Sequence, residues 1–299
     1  MSFESFRLSV QALAEAGWLP SALSWGFAVN ALLAGLIVGP MLGSLGTLVV
    51  VRRHAFFAEA VGHAALTGVA IGILAGEPYT APYGALFGYC LIFAIGLDYL
   101  RGRTGLSADT LIGVFLSMSL ALGASILLIL AGRINVHILE NVLFGSILTV
   151  NGVDLALLAA VGLVVIALTA VLYNRFMLSS FHPALALVRG LPVRRLDYLF
   201  VMLITVVTVA SLKIVGAVLV GALLVIPAAA ARIVARSLAG FWWLSIGIAT
   251  FSTLAGILLP MQFDLPVPSG AAIILVAGSC FLICTALRAL VPGLKGNVL

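Results

Sequence analysis

The stretch SWGFAVNALLAGLIVGPMLGSLGTLVVV, residues 24–51, contains no charged residue and is long enough for one helix to cross a lipid bilayer. About 20 helical residues suffice for this crossing. Comparable apolar segments follow at approximately 56–75, 83–100, 108–131, 153–173, 196–213, 214–231, 241–260 and 269–288. Lipid offers no partner for open backbone groups, so these segments predict an all-α, polytopic transmembrane helix bundle of about eight or nine spans.

The overall composition agrees with this prediction. Hydrophobic residues make up 63% of the chain and charged residues only 8%, whereas soluble domains carry about 25% charged residues. The spans and their short connections use nearly all of the 299 residues. No length remains for a second soluble domain.

The chain ends and one short segment are assigned differently. Residues 1–22 mix charges with apolar residues at helical spacing and are expected to form an interfacial segment, followed by a membrane domain over 23–290 and a cytoplasmic tail over 291–299. The apolar segment 137–150 is too short to be counted as a span. Residues 196–231 form either two spans that turn near Lys213 or one broken helix.

The basic residues predict the orientation, because cytoplasmic loops of membrane proteins are enriched in Lys and Arg. If the loop after the first span is cytoplasmic, 12 of the 15 basic residues lie inside: Arg52, Arg53, Arg101, Arg103, Arg175, Arg189, Arg194, Arg195, Arg232, Arg236, Arg288 and Lys295. The N-terminus is then external and the C-terminus cytoplasmic.

Glycines recur at every fourth position in the first two spans, at 35, 39 and 43 and again at 68, 72 and 76. This spacing places small side chains on one helix face, where another helix can approach closely. Both spans are therefore expected to be buried in the bundle or at a subunit contact.

Ionisable residues within membrane spans are costly and indicate function or pairing. Glu59 and His63 are four residues apart in the second span and share one helix face. A carboxylate and an imidazole are suitable ligands for a divalent first-row metal. The residues alone leave two readings open: part of a metal site, or a hydrogen-bonded pair that joins two helices.

Two further charged residues are weaker candidates. Asp264 lies between the last two spans on the predicted external side, where it either meets an arriving cation or is a solvated turn residue. Lys213 lies between apolar runs, and a structural role is favoured for it.

Several enzyme classes lose support. The only lysines, Lys213 and Lys295, are not in a GxxxxGK[ST] phosphate loop, and neither a GxSxG nor an HExxH motif occurs. We therefore expect no catalytic residues and no ATPase activity of the phosphate-loop type in this chain.

The cytoplasmic sequence FHPALALVRGLPVRRLDY, residues 181–198, has the length of a short helix followed by a Gly-Leu-Pro stop and a basic pair. Spanning the membrane does not require such a segment. A short helix on the cytoplasmic face suits docking onto a soluble partner, and a plain connecting loop is the alternative.

The sequence RRHAFFAEAVGHAALTGVAIG, residues 52–72, resembles the permease subunits of bacterial ABC importers for zinc, manganese and iron(II). An aromatic pair precedes an acidic residue, followed by His four residues later and by Leu-x-Gly. This chain has Ala58 and Glu59 where the family usually has Gly-Asp.

Further resemblances follow in the family's order. They are SADTLIGVFLSMSLALG (107–123), ENVLFGSIL (140–148), FHPALALVRGLPVRRLD (181–197), VGAVLVGALLVIPAAAARIVA (215–235) and DLPVPSGAAIIL (264–275). The third is similar to the family's coupling segment, although His182 stands where the family often has Asp.

The resemblance implies a permease dimer in the bacterial cytoplasmic (inner) membrane that imports a divalent transition metal and holds no permanent cofactor. Zinc is favoured over manganese and iron(II). The implied partners are a second permease subunit, two ABC ATPase subunits and an extracytoplasmic metal-binding protein. Glu59 and His63 take the metal role, with Asp264 as a weaker candidate. The ATPase-coupling role falls on residues 181–195, namely Phe181, Pro183, Ala186, Gly190, Arg194 and Arg195.

Two functions of other classes stay open. A proton-coupled secondary transporter would use Glu59 and His63 as a proton relay and would need no ATPase. A structural membrane scaffold would use both residues for folding only.

Overall fold

The structure is a computed structural model that describes residues 3–17, 20–78, 82–130, 145 and 150–290. Its elements are helices, and the described residues contain no strand. After α1 and a short 3-10 helix, Ser21–Ser24, the elements are long helices with one short exception. The bounds are α1 Phe3–Glu15, α2 Gly26–Arg52, α3 Ala55–Leu74, α4 Tyr83–Thr104, α5 Ala108–Leu130, α6 Gly152–Phe181, α7 Pro183–Val188, α8 Val193–Val215, α9 Ala217–Val234, α10 Leu238–Gln262 and α11 Ser269–Leu290.

Eight of the described helices, α2 to α6, α8, α10 and α11, are long and apolar enough to cross a membrane. Helix α9 is a shorter apolar helix. The prediction of an all-α bundle with about eight or nine spans is therefore confirmed.

The region 196–231 forms two helices with almost no loop. Helix α8 ends at Val215 and α9 begins at Ala217. Gly216 between them has φ of +89° and ψ of 155°, a backbone conformation that essentially only glycine adopts without strain. One glycine thus breaks what would otherwise be a continuous apolar helix.

Helices α2 and α3 form the centre of the bundle. In each, 72% of the most apolar 18-residue window is buried, compared with 17% in α5. A Cβ added at Gly39 or Gly43 would lie 2.5 or 2.8 Å from α10 backbone atoms, and one at Gly68 would lie 3.0 Å from the Leu86 Cα of α4. The glycine spacing therefore does mark close helix contacts.

The arginines assigned to the cytoplasmic side gather at one end of the bundle. Arg52, Arg101, Arg194 and Arg232 come from four different helices and line one cavity. We call this the basic end and assign it to the cytoplasm by the enrichment of Arg and Lys on that side.

Two expectations fall on residues that the structure does not describe. The segment 137–150, expected not to span the membrane, lies outside the described residues except for Gly145 and Val150, and the tail 291–299 lies outside them entirely.

Candidate metal site and its cytoplasmic support

Helix α3 carries both predicted metal ligands. It begins after His54 at the basic end, and Glu59 and His63 follow in its second and third turns. The Glu59 residue is exposed and His63 is half-buried, whereas the neighbouring Ala58, Ala60 and Gly62 are buried. The structure therefore places both residues on an open face of a helix whose other face is packed.

Helix α9 forms a wall next to this open face. A Cβ added at Gly62 would lie 2.6 Å from the Ala217 carbonyl oxygen, and one added at Gly221 would lie 3.4 Å from the Glu59 Cβ. Real Cβ atoms essentially never approach another atom as closely as 2.6 Å, so α3 and α9 meet here through backbone atoms. The missing side chain at Gly221 leaves room beside Glu59.

The described residues offer Glu59 and His63 no partner. Neither side chain forms a hydrogen bond or an ion pair with another described residue, and the two do not bond to each other. The hydrogen-bonded pair that would join two helices is thus not formed in the described chain. Ionisable groups in a span are costly against lipid, so this face requires water, metal or a further subunit.

Asp264 is not brought to this site. It follows the C-terminal end of α10 with φ of +47° and is exposed. Because α10 starts near the basic end and α3 carries Glu59 in its second turn, Asp264 lies toward the opposite end of the bundle. The described residues contain no group of three or more His, Cys, Asp or Glu that could hold a metal.

The predicted coupling residues form one continuous unit at the basic end. Phe181 ends α6, Pro183 starts the six-residue helix α7, and Gly190 ends this turn with φ of +73°. Arg194 and Arg195 lie in the first turn of α8 and are exposed. Ala186 is the buried residue of α7 and packs this short helix against the bundle.

The outer side of α7 is apolar and open. The side chains of Leu185, Leu187 and Val188 are exposed, with Val188 at 85%. An exposed apolar cluster on a short helix is typical of a docking surface for another protein.

Sequence reasoning missed the side chain that organises the basic end, Arg52. The sequence indicated only its side of the membrane. In the structure its Nη1 donates to Asp197 Oδ1 at 2.6 Å, its Nη2 to Ser179 Oγ at 2.8 Å and its Nε to Ser180 Oγ at 2.9 Å. The guanidinium also lies over the Phe200 ring, with Cζ 4.6 Å from the centroid, within the range of a cation–π contact.

His54 extends this network to the start of α3. Its Nε2 lies 2.7 Å from Arg101 Nη1 and its Nδ1 lies 2.8 Å from the Arg52 carbonyl oxygen. Arginine can only donate, so Nε2 accepts and Nδ1 carries the proton. Burial, opposed by the hydrogen bond to Arg52, lowers the pKa of His54 to about 4, which keeps the ring neutral at pH 7.

These groups border a cavity of about 820 Å³ at the basic end. Five arginines and His54 line it, opposed by two carboxylates, and the arginines are Arg52, Arg53, Arg101, Arg194 and Arg232. Such an excess of positive charge disfavours a cation, so this cavity is not a candidate metal site.

Comparison with known proteins places the chain in a family. Residues 24–288 match the ABC 3 transport family. The manganese transport system membrane protein MntC of Listeria innocua is 34% identical over 266 residues, which cover 89% of this chain and 92% of that protein. The high-affinity zinc uptake system membrane protein ZnuB of Haemophilus influenzae is 32% identical, with 85% of this chain and 94% of that protein covered.

A solved structure shows the same fold. The structure of PsaBC from Streptococcus pneumoniae in complex with Fab matches with a TM-score of 0.76 and 31% sequence identity, covering 87% of this chain and 91% of the matched chain. The family match spans all eight candidate membrane helices up to Arg288. This chain is thus a multi-pass protein of the bacterial inner membrane and belongs to the ABC 3 transport family, as its sequence motifs indicated.

Proposed function

We propose that this chain is the permease subunit of an ATP-driven importer of a divalent first-row transition metal. The observation that carries the proposal is the open face of α3, where Glu59 and His63 have no partner among the described residues. An oxygen and a nitrogen ligand suit zinc, manganese and iron(II). The names of relatives support this class, since MntC is named for manganese and ZnuB for zinc.

The metal pathway runs along the open face of α3, between this chain and a second permease subunit. The second subunit covers a face that is too polar for lipid. Glu59 and His63 hold the ion only transiently, because a pathway site must release what it binds. Asp264, at the opposite end, is a weaker candidate for contact with the ion where it arrives from an extracytoplasmic metal-binding protein.

Two ATPase subunits supply the energy from the cytoplasmic side. The docking element is the segment 181–195, whose α7 exposes Leu185, Leu187 and Val188 beside a basic pair. ATP hydrolysis belongs to these partners, and the permease itself performs no chemistry.

The test is metal accumulation in cells starved of zinc, manganese or iron, with the ATPase and the delivery protein supplied. We compare wild type with His63→Ala at matched membrane expression. Leu74→Ala is the control, because Leu74 is exposed on the same helix three turns further on. We expect uptake of one metal to collapse in His63→Ala only, which also decides the sequence-based preference for zinc.

Other results would count against the proposal. Unchanged uptake of every metal in His63→Ala would make His63 a packing residue. Uptake that persists without the ATPase and stops when a protonophore is added would support the proton-coupled transporter instead.

A further inference from the structure

Arg52 forms hydrogen bonds with residues on both sides of the coupling segment 181–195. The Arg52 partners Ser179 and Ser180 lie in the last turn of α6, just before α7, and Asp197 lies in the second turn of α8, just after it. All three guanidinium nitrogens are used, and only 8% of the Arg52 side chain is exposed. Residues 181–195 therefore leave and re-enter the bundle at one fixed point.

Arg52 also lies at the connection between α2 and α3. Arg52 is the last residue of α2, and Arg53 follows in the left-handed conformation with φ of 58°. His54 then donates to the Arg52 carbonyl oxygen, and its ring lies nearly perpendicular to the Phe200 ring of α8, with ring centroids 5.5 Å apart. The turn between α2 and α3 is thus fastened to the same helix that receives the coupling segment.

The metal ligand lies close to this turn along the chain. Glu59 is five residues after His54 and seven after Arg52, in the second turn of α3. A helix is stiff over so short a distance, so a displacement of its first turn displaces Glu59 as well. The network therefore joins segment 181–195 to the metal ligand without passing through a flexible loop.

The chemistry of the linking residue suits this task. A guanidinium presents several donors in a rigid planar fork, whereas a lysine ammonium is a point charge on a flexible stem. Only arginine can hold two hydroxyls and a carboxylate in one plane and stack on Phe200 at the same time. A lysine would carry the same charge but could not make this set of contacts.

We infer that Arg52 is a positioning residue that transmits the motion of segment 181–195 to Glu59 on α3 and so couples ATP hydrolysis to metal release. This inference rests on the proposed function, because it requires the ATPases to move that segment. Arg52 therefore has a mechanical role in addition to its place among the arginines of the cytoplasmic side.

The experiment uses the complete importer, with both permeases, both ATPases and the delivery protein, reconstituted into liposomes. ATP hydrolysis and uptake of zinc, manganese and iron(II) are measured on the same preparation, which gives ATP consumed per ion. The variants are Arg52→Lys and Asp197→Asn, and the control is Arg53→Lys. Arg53 is exposed and has no ion pair or side-chain hydrogen bond with the described part of the chain.

We expect ATP consumed per ion to rise about fivefold or more in Arg52→Lys, the lower range of typical coupling between sites. Asp197→Asn should shift in the same direction, and Arg53→Lys should match wild type. Co-purification of all subunits and a cooperative melting transition above the assay temperature would show that the assembled permease is intact. Asp197 is 44% exposed, so its substitution keeps the test available if Arg52→Lys fails to assemble.

Two failures can be told apart. If the wild-type complex imports none of the three metals on ATP, the proposed function is wrong. If wild type imports metal but hydrolysis and uptake fall in proportion in both variants, or neither changes, Arg52 is only a structural clamp and the inference is overturned.

Discussion

Two sets of ionisable residues, only seven positions apart along the chain, are treated in opposite ways by the fold. The Arg52 side chain is only 8% exposed, and each of its guanidinium nitrogens donates to a side-chain oxygen of the same chain. Glu59 is exposed and forms no hydrogen bond with the described residues, and His63 also lacks one. Arg52 with its partners is here called the closed set, because the chain itself supplies every partner. Glu59 and His63 are called the open set, because the described residues supply none.

The difference separates a charge that holds helices together from charges proposed to bind a passing ion. A buried charge without partners is destabilising, so a charge that serves the fold must find its partners within the chain. A charge that serves transport must stay free to bind and release a passing ion. The comparison predicts that substitutions at the closed set reduce stability, whereas those at the open set reduce uptake only.

The largest loss of stability is expected where the open site is supported by direct backbone contact. Gly62→Ala would place a Cβ 2.6 Å from the Ala217 carbonyl oxygen, and overpacking of this kind costs about 1–3 kcal/mol. We expect a lower unfolding temperature of the purified permease and reduced uptake. Gly88→Ala is the control, because nothing lies within 4 Å of a Cβ there. Equal effects of the two would show that α3 and α9 do not need this contact.

A loss within the same range is expected at the closed set. Arg52→Gln removes a charged group with three hydrogen bonds, one of them to a half-exposed carboxylate, and should cost about 2 kcal/mol. Arg53→Gln removes the same charge at an exposed neighbour and should be within about 0.5 kcal/mol of wild type. The measurement is unfolding of both variants in the same detergent. Equal melting temperatures would mean that the network around Arg52 contributes nothing to the fold.

The histidine between the two sets predicts a pH dependence. The pKa of His54 is lowered to about 4 in the fold, below the ordinary value of about 6.5. Between these values the unfolded chain binds more protons, so stability is present above pH 6.5 and falls as the pH drops toward 4.

The expected size of this effect is on the order of 1 kcal/mol at pH 5. His54→Gln keeps a donor and an acceptor but cannot titrate, so its melting temperature should fall less between pH 7 and pH 5. His182→Gln, at an exposed position, should behave as wild type. A wild-type slope in His54→Gln would exclude His54 as its source.

The smallest effect on stability is expected at the open set. Glu59→Gln should change the free energy of unfolding by less than about 0.5 kcal/mol, because no described partner is lost. Metal uptake should nevertheless be lost, since a neutral amide is a poor ligand for a divalent ion. If Glu59→Gln lowers the melting temperature as much as Arg52→Gln, Glu59 anchors the fold and the contrast between the two sets is wrong.

The parts of the fold that follow from local pattern were predictable. Helix positions follow from the length of apolar runs, and the contact of α2 with α10 uses the glycines spaced four apart. Glu59 and His63 share a face because of helical periodicity alone. The gathering of Arg52, Arg101 and Arg194 at one end follows from their distribution between spans.

The Arg52 network could not be predicted in the same way. Its partner Asp197 is 145 residues away, and Ser179 is 127 residues away. No spacing rule connects such positions, because the contact depends on how α6 and α8 pack against α2. The room that Gly221 leaves beside Glu59 has the same origin, since α9 comes from a distant part of the chain.

The sequence by itself determined that this protein is a helical membrane bundle, which of its ends carries the arginines, and which residues could bind a metal. These properties depend on composition and on periodicity within single helices. Only the tertiary structure decided that Arg52 is enclosed and that Glu59 and His63 are open. Whether a charged side chain finds partners depends on which helices pack beside it. That packing is set by contacts between residues far apart in the chain.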